Sequence, residues 1–193
     1  MQRICVFCGS NTGNNPIYIE QAKQLGTTLA NHNITLIYGG TTIGLMGAIA
    51  DAALAAGGKV IGIIPQRLAD KPNMAHAKLT DIYIVESMHQ RKAKMAELAD
   101  GFIALPGGLG TFEELFEMLT WSQLDFHKKP CAVLNINGFY DKLTEFLDSV
   151  IAAQFMKPEH RQLLISESNP EQLLEKMQNY QAPTVSKWFN PPI

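Results

Sequence analysis

The sequence predicts a single α/β domain built on an open parallel sheet with helices on both faces. Short β-branched segments alternate with longer segments of helical periodicity, as in proteins whose parallel strands are joined by helices. The segment at 60–64 is almost continuously apolar, which is typical of a strand buried on both faces. The length of 193 residues corresponds to one domain.

Six strands are predicted from these short apolar runs, at 4–7, 34–38, 60–64, 82–85, 102–105 and 131–134. The first helix should begin at Asn15-Pro16, with asparagine as the cap and proline in the first helical position. A small-residue helix should follow the second strand. A polar, irregular segment at 66–78 separates the third and fourth strands.

Two further helices have capping-box spacings at their starts, Ser87-x-x-Gln90 and Thr111-x-x-Glu114. The six helices are predicted at about 16–31, 44–56, 87–99, 111–124, 140–154 and 170–180. We therefore assign residues 1–180 to one domain. Residues 181–193, which include three prolines, are assigned to a C-terminal arm.

The composition excludes several functional classes. Sixteen basic and eighteen acidic residues give a net charge of −2. The chain therefore lacks the excess of positive charge expected of a protein that binds nucleic acid or an anionic membrane surface. The longest uncharged stretch, 24–50, contains too many polar residues to span a membrane. With no signal-peptide pattern and three cysteines, the chain is expected to be a cytoplasmic protein without disulfides.

Glycine-rich turns directly follow three of the strands, at Gly9-Ser10, Gly39-Gly40 and 106–111. Ligands of open parallel sheets bind beyond the carboxyl ends of the strands, where the strand order reverses. These turns therefore predict a site that a ligand approaches closely. Neither a G-x-G-x-x-G dinucleotide fingerprint nor a P-loop is present, which disfavours classical NAD binding and P-loop ATP hydrolysis.

The turn at 107–111 leads into a helix, and a helix N-terminus offers free N–H groups and a positive dipole end to a phosphate. The alternative is a tight turn without a ligand. Glu114 likewise has two interpretations, as a group in the pocket or as the capping-box partner of Thr111. Glu113 should leave the helix about 100° away from Glu114.

Arg91 and Lys92 lie near the start of another helix, where cations are unfavourable unless an anion or carboxylate is close. The alternative is a solvated surface pair. Cys5 and Cys8 should point to opposite faces of a strand, which disfavours a redox or metal pair. The five histidines show no ligand spacing, so no metal site is predicted.

Taken together, these segments resemble the LONELY GUY (LOG) family of cytokinin-activating phosphoribohydrolases, over nearly the whole chain. The resemblance is most specific at Pro106-Gly107-Gly108-Leu109-Gly110-Thr111-Phe112-Glu113-Glu114, which matches the family signature P-G-G-x-G-T-x-x-E. It continues through segments 4–10, 38–47, 88–92 and 120–124.

The resemblance implies a Rossmann-like fold, no cofactor, and hydrolysis of the N-glycosidic bond of cytokinin riboside 5′-monophosphates, with AMP as a further substrate. It also implies a homodimer or larger homo-oligomer with its pocket near the interface. Arg91 and Glu114 would be the catalytic pair. The substrate and its phosphate would be bound by Gly9, Ser10, Gly40, Met88, Lys92, Gly107, Gly108, Gly110, Thr111 and Glu113.

One segment departs from the plant members of the family, which carry an acidic substrate contact before the fourth strand. Here that region reads Lys71-Pro72-Asn73-Met74-Ala75, which leaves base recognition by the 66–78 loop open. Two alternatives remain: a general purine nucleotide-monophosphate glycosidase used in salvage, and a non-catalytic protein that binds a nucleotide or the molybdenum cofactor.

Overall fold

A computed structural model describes residues 1–188 and contains a seven-stranded sheet in which every neighbouring pair is parallel. The strands are β1 (Arg3–Phe7), β2 (Thr35–Tyr38), β3 (Val60–Pro65), β4 (Asp81–Val85), β5 (Gly101–Ala104), β6 (Cys131–Leu134) and β7 (Leu164–Glu167). Their spatial order is β4-β3-β2-β1-β5-β6-β7. The predicted fold class is confirmed.

Within residues 1–188, seven α-helices connect and cover the strands. They are α1 (Ile17–Asn31), α2 (Gly44–Ala55), α3 (Gln66–Ala69), α4 (Met88–Leu98), α5 (Leu109–Gln123), α6 (Asp141–Ala152) and α7 (Pro170–Gln178). Short 3₁₀ helices lie at Ile136–Gly138 and Pro158–Leu163. Helix α1 begins one residue later than predicted, with Pro16 in the N-cap position.

The core has two layers because alternate residues of each strand point to opposite faces of the sheet. Ile4 and Val6 pack against α1, α2 and α7, whereas Cys5 and Phe7 pack against α4, α5 and α6. The predicted opposition of Cys5 and Cys8 is confirmed, since Cys8 belongs to the first layer. All three cysteines are buried and free.

The strand order reverses between β1 and β5. From β1 the chain proceeds outward through β2, β3 and β4, and α4 then returns it to the opposite side of β1. The backbone joins the two turns beyond this pair, since the Gly9 amide donates to the Pro106 carbonyl at 3.0 Å. The carboxyl ends of β1 and β5 therefore form one crevice.

Three local predictions were wrong. Strand β7 was not predicted, because Leu164-Ile165-Ser166-Glu167 is an edge strand with only two apolar residues. Segment 66–78 was expected to be wholly irregular but contains α3. Helix α5 begins at Leu109 instead of Thr111, with Gly108 as the N-cap. Thr111 therefore lies inside the helix, and the capping-box interpretation of Glu114 is wrong.

Helix α4 begins as its spacing predicts, with the Ser87 hydroxyl accepting from the Gln90 amide at 3.2 Å.

No helix within residues 1–188 has both the length and the apolar character needed to cross a membrane. Residues 181–188 of the predicted arm contain no helix or strand, and the Val185 carbonyl lies 3.1 Å from Nε2 of His160. The rest of the arm, 189–193, lies outside the described residues.

Candidate active site

A cleft of about 300 Å³ opens at the β1–β5 crevice. Its walls come from the ends of β1 and β2, the first turns of α4 and α5, and Met46 of α2. Nine residues predicted from sequence line it: Gly9, Ser10, Met88, Arg91, Gly108, Gly110, Thr111, Glu113 and Glu114. Residues from three separate segments of the sequence thus meet in one site.

The floor of the cleft is the N-terminus of α5. Within residues 1–188 no side chain caps this helix, so the amides of its first turn have no intrahelical acceptor, and the residues of this turn line the cleft. Two glycines at this end, Gly108 and Gly110, have no atom within 4 Å of the position that a Cβ would occupy. Packing within the described chain therefore does not require glycine there, and the space beside both glycines is open.

Arg91 is held rigidly beside this floor. Its Nε donates to the Ile63 carbonyl at 3.1 Å, and its side chain is largely buried. A Cβ on Gly39 would lie only 2.1 Å from Nη2 of Arg91. Glycine at position 39 is therefore what allows the guanidinium to lie against the end of β2.

Glu114 faces Arg91 from the first part of α5. The residue is 7% exposed, and its Oε1 lies 3.6 Å from Nη1 of Arg91. Burial raises the pKa of Glu114, and the nearby carboxylates of Glu113 and Glu117 add to this effect. Arg91 and Lys92 act in the opposite direction. A buried carboxylate beside one fixed cation is suited to stabilising positive charge that develops on a ligand.

Lys92 is not among the residues that line the cleft. Its Nζ contacts Oε1 of Glu113 and lies 3.1 Å from Oε2 of Glu117, so a double ion pair links α4 to α5. Both predicted cations near the start of α4 are thus offset by carboxylates, and the interpretation as a solvated surface pair is wrong, since Arg91 is 9% and Lys92 8% exposed.

Gly40 and Gly107 also lie outside the lining of this cleft. Gly40 has a φ of +75°, a conformation that favours glycine, and its carbonyl accepts from the His76 amide at 3.0 Å. Gly107 has no room for a side chain, because a Cβ would lie 2.1 Å from Oγ1 of Thr111. The fold itself therefore favours glycine at both positions, whether or not a ligand binds nearby.

Gly39, which belongs to one of the glycine turns that predicted the site, lines the cleft, whereas sequence reasoning gave no site role to Cys8 and Met46, which also line it. Cys8 and Met46 lie within the segments that carried the family resemblance, but their spacing alone indicated no role in binding or catalysis. The 66–78 loop is anchored beside the site, with the Thr42 hydroxyl donating to the Asn73 carbonyl at 2.7 Å. None of its residues lines the cleft, and base recognition by this loop stays a prediction.

Comparison with known proteins places the chain in a family. Residues 46–177 match the family described as "Possible lysine decarboxylase". A cytokinin riboside 5′-monophosphate phosphoribohydrolase of Arabidopsis thaliana is 47% identical over 93% of this chain and 84% of its own length. A protein of Oryza sativa subsp. japonica, described as a "Probable cytokinin riboside 5'-monophosphate phosphoribohydrolase", is 48% identical over 92% of this chain and 79% of its own. The chain belongs to the LOG family.

Solved structures show the same fold at lower sequence identity. The molybdenum cofactor binding protein from Rippkaea orientalis has a TM-score of 0.70 and 23% identity, over 93% of this chain and 97% of that chain. The molybdenum cofactor carrier protein from Chlamydomonas reinhardtii has a TM-score of 0.69 and 19% identity, over 92% and 96%. These similarities show that the LOG fold of this chain is shared with the two proteins.

Proposed function

We propose that this protein hydrolyses the N-glycosidic bond of cytokinin riboside 5′-monophosphates and of AMP, releasing the free base and ribose 5-phosphate. The observation that supports the proposal is the buried carboxylate of Glu114, which lies beside Arg91 and follows the uncapped first turn of α5. One end of the cleft is suited to a phosphate and the other to a developing cation, and the substrate carries both on one ribose.

In the proposed reaction the bond from C1′ to the base nitrogen breaks, and the oxygen of a water molecule bonds to C1′. Positive charge builds up on the ribose in the transition state, and the ionised Glu114 stabilises it. Glu114 also accepts a proton from the attacking water, and this proton is passed on to the departing base nitrogen, which returns the carboxylate to its ionised form. Arg91 orients the carboxylate and favours its ionised form.

The 5′-phosphate is proposed to bind the amides at the start of α5, with Thr111 and Ser10 supplying hydroxyl donors. Gly108 and Gly110 leave room for it. A phosphate held here fixes the ribose at a constant distance from Glu114. The phosphate therefore contributes to the rate as well as to binding, because it positions the reacting carbon.

A decarboxylase activity, as in the description of the matching family, has less support from the residues. A lysine that attacks a carbonyl must lose its proton. Lys92, which lies beside the cleft, is partly desolvated, which lowers its pKa, but its contacts with Glu113 and Glu117 outweigh this effect and the pKa is raised. This lysine is therefore kept protonated.

We further propose that the protein forms a homodimer or larger homo-oligomer near the cleft, and that it acts in the cytoplasm. Leu109 and Met88 line the cleft and yet are 87% and 45% exposed, an apolar surface suited to a second copy. The three free, buried cysteines suit a reducing compartment.

The test is a substrate panel comprising a cytokinin riboside 5′-monophosphate, AMP and the two matching nucleosides, followed by chromatography of free bases and detection of ribose 5-phosphate. The expected result is release of base from the monophosphates and little from the nucleosides. Equal turnover of nucleosides would refute the role of the phosphate site. Turnover of AMP alone would support the salvage alternative, and no turnover of any compound would refute the hydrolase.

A further inference from the structure

The double ion pair of Lys92 lies beside the cleft, and the proposed reaction gives it no role. Its Nζ is held between two carboxylates one turn apart on α5, Glu113 and Glu117. Lys92 itself is almost completely buried, whereas the side chain of Glu113 is half-exposed and lines the cleft. The lysine thus touches a cleft residue without lining the cleft.

The position of Glu113 links its contact with Lys92 to the binding of an anionic ligand. Glu113 follows the uncapped first turn of α5, where an anionic phosphate would rest. A free carboxylate at that place would repel the phosphate, because two like charges interact strongly in a partly desolvated cleft. A carboxylate paired with a buried ammonium group repels it far less.

Glu113 also affects its neighbour. Its charge raises the pKa of Glu114, and so does the charge of Glu117, whereas the charge of Lys92 lowers it. Three carboxylates therefore lie within little more than one turn of α5, and Lys92 is the cation that contacts two of them. Arg91 is left to pair with the third.

We propose that Lys92 is a positioning residue that acts on the substrate through Glu113: it neutralises that carboxylate, joins α4 to α5 and thereby keeps the phosphate end of the cleft receptive to an anion. The inference rests on the proposed function for the identity of the anion. It differs from a direct role, in which the ammonium group of Lys92 would itself contact the phosphate.

A double-mutant cycle separates the two roles. The affinity for ribose 5-phosphate is measured by calorimetry, together with KM and kcat for AMP, in four proteins: the wild type, Lys92→Met, Glu113→Gln and the double variant. In the wild-type background Lys92→Met should weaken the phosphate affinity and raise KM by about fivefold or more. In the Glu113→Gln background the same substitution should change both by less than about twofold, since no unpaired carboxylate faces the cleft.

A second cycle with Glu117→Gln is the matched control, because Glu117 pairs with the same ammonium group but does not line the cleft. Here Lys92→Met should weaken binding as strongly as in the wild type. Lys92→Arg, which keeps the charge, should restore KM to within about threefold of the wild type. The acid limb of the rate profile should also move to higher pH in Lys92→Met, and a purely structural role would not move it.

An unchanged affinity for ribose 5-phosphate in Lys92→Met would overturn the proposal. So would an equally large loss of affinity when Lys92→Met is made in the Glu113→Gln background, since that result indicates direct contact of Lys92 with the phosphate. The third contrary result is that Glu117→Gln suppresses the effect of Lys92→Met as fully as Glu113→Gln does. Thermal midpoints of all variants identify any that fail to fold, and Lys92→Arg then carries the comparison. Calorimetry needs no turnover. A wild type that binds ribose 5-phosphate but hydrolyses nothing would therefore refute the proposed function, while the affinities of the four proteins would still test the role of Lys92.

Discussion

Arg91 and Glu114 form a buried ion pair that is too long to be a strong hydrogen bond. Nη1 of Arg91 lies 3.6 Å from Oε1 of Glu114, whereas charge-assisted hydrogen bonds of this kind are about 2.7–2.9 Å long. The guanidinium is instead anchored through Nε to the Ile63 carbonyl. The carboxylate of Glu114 therefore experiences the positive charge of Arg91 without a short hydrogen bond to it, so that its oxygens can still accept from water or from a ribose hydroxyl.

The first prediction concerns Glu114→Gln. The amide has nearly the same shape but cannot stabilise positive charge or accept a proton, so kcat for AMP should fall about a hundredfold or more. The thermal midpoint near pH 7 should stay within about 4 °C of the wild type or rise. Because the pKa of Glu114 is raised in the folded protein, its ionisation costs stability as pH increases, and glutamine removes that cost.

Glu97→Gln is the control for this substitution, since Glu97 is a largely exposed glutamate on α4 that pairs with Lys94. It should change neither rate nor midpoint. Initial rates and thermal midpoints measured on the same preparations decide the matter. A Glu114→Gln enzyme with nearly normal turnover would move the chemistry to another residue.

The second prediction is the direction of the Glu114 titration. In the ligand-free protein the carboxyl should titrate above the 4.5 of an ordinary glutamate, because burial disfavours its charged form. In Arg91→Gln it should titrate higher still, since the cation that lowers this pKa is gone. Carbon-13 NMR, with the signal assigned by its loss in Glu114→Gln, measures both values. A signal that titrates below 4.5 in the wild type would contradict the burial argument.

Much of this site could be predicted from sequence because its chemistry lies in short motifs. The turn at 106–111 and the cations at Arg91 and Lys92 follow strands that were correctly identified, and parallel strands bring their carboxyl ends to one edge. The family resemblance paired Arg91 with Glu114, but the residues alone identified no partner for either cation. That Lys92 pairs with Glu113 and Arg91 with Glu114 depends on how α4 and α5 pack together on one face of the sheet, and sequence periodicity does not fix that packing.

The role of Glu114 was undecided in the sequence for a similar reason. Thr111-x-x-Glu114 has the spacing of a capping box, and only the observed start of α5 at Leu109 excludes it. Glycines that precede a helix give few signals about where its first turn begins. Gly108 is the N-cap here, without a side chain to mark it.

The third prediction concerns the proposed oligomer. Light scattering at micromolar concentration should give at least twice the 21.3 kDa of one chain. Leu109→Lys should shift the population towards monomer, because it places a charge on a strongly exposed apolar residue at the cleft mouth. Phe155→Lys changes an equally exposed apolar residue elsewhere. If Phe155→Lys dissociates the protein and Leu109→Lys does not, the interface lies away from the cleft.

The last prediction compares the effects of alanine substitution on stability and on KM at two glycines of one turn, Gly110 and Gly107. Gly110 lies inside α5, and a Cβ there would meet no atom within 4 Å. Gly110→Ala should therefore stabilise the helix by about 0.5–1 kcal/mol, seen as a higher thermal midpoint. Gly110 lines the cleft at the turn proposed to bind the phosphate, so the added methyl group should crowd the phosphate and raise KM for AMP about tenfold even as the protein becomes more stable. Gly107→Ala should do the opposite to the fold: its Cβ would lie 2.1 Å from Oγ1 of Thr111, and the resulting clash should cost about 1–3 kcal/mol of stability. Midpoints and KM values for both variants test the contrast, and a Gly110→Ala protein with normal KM would place the phosphate elsewhere in the cleft.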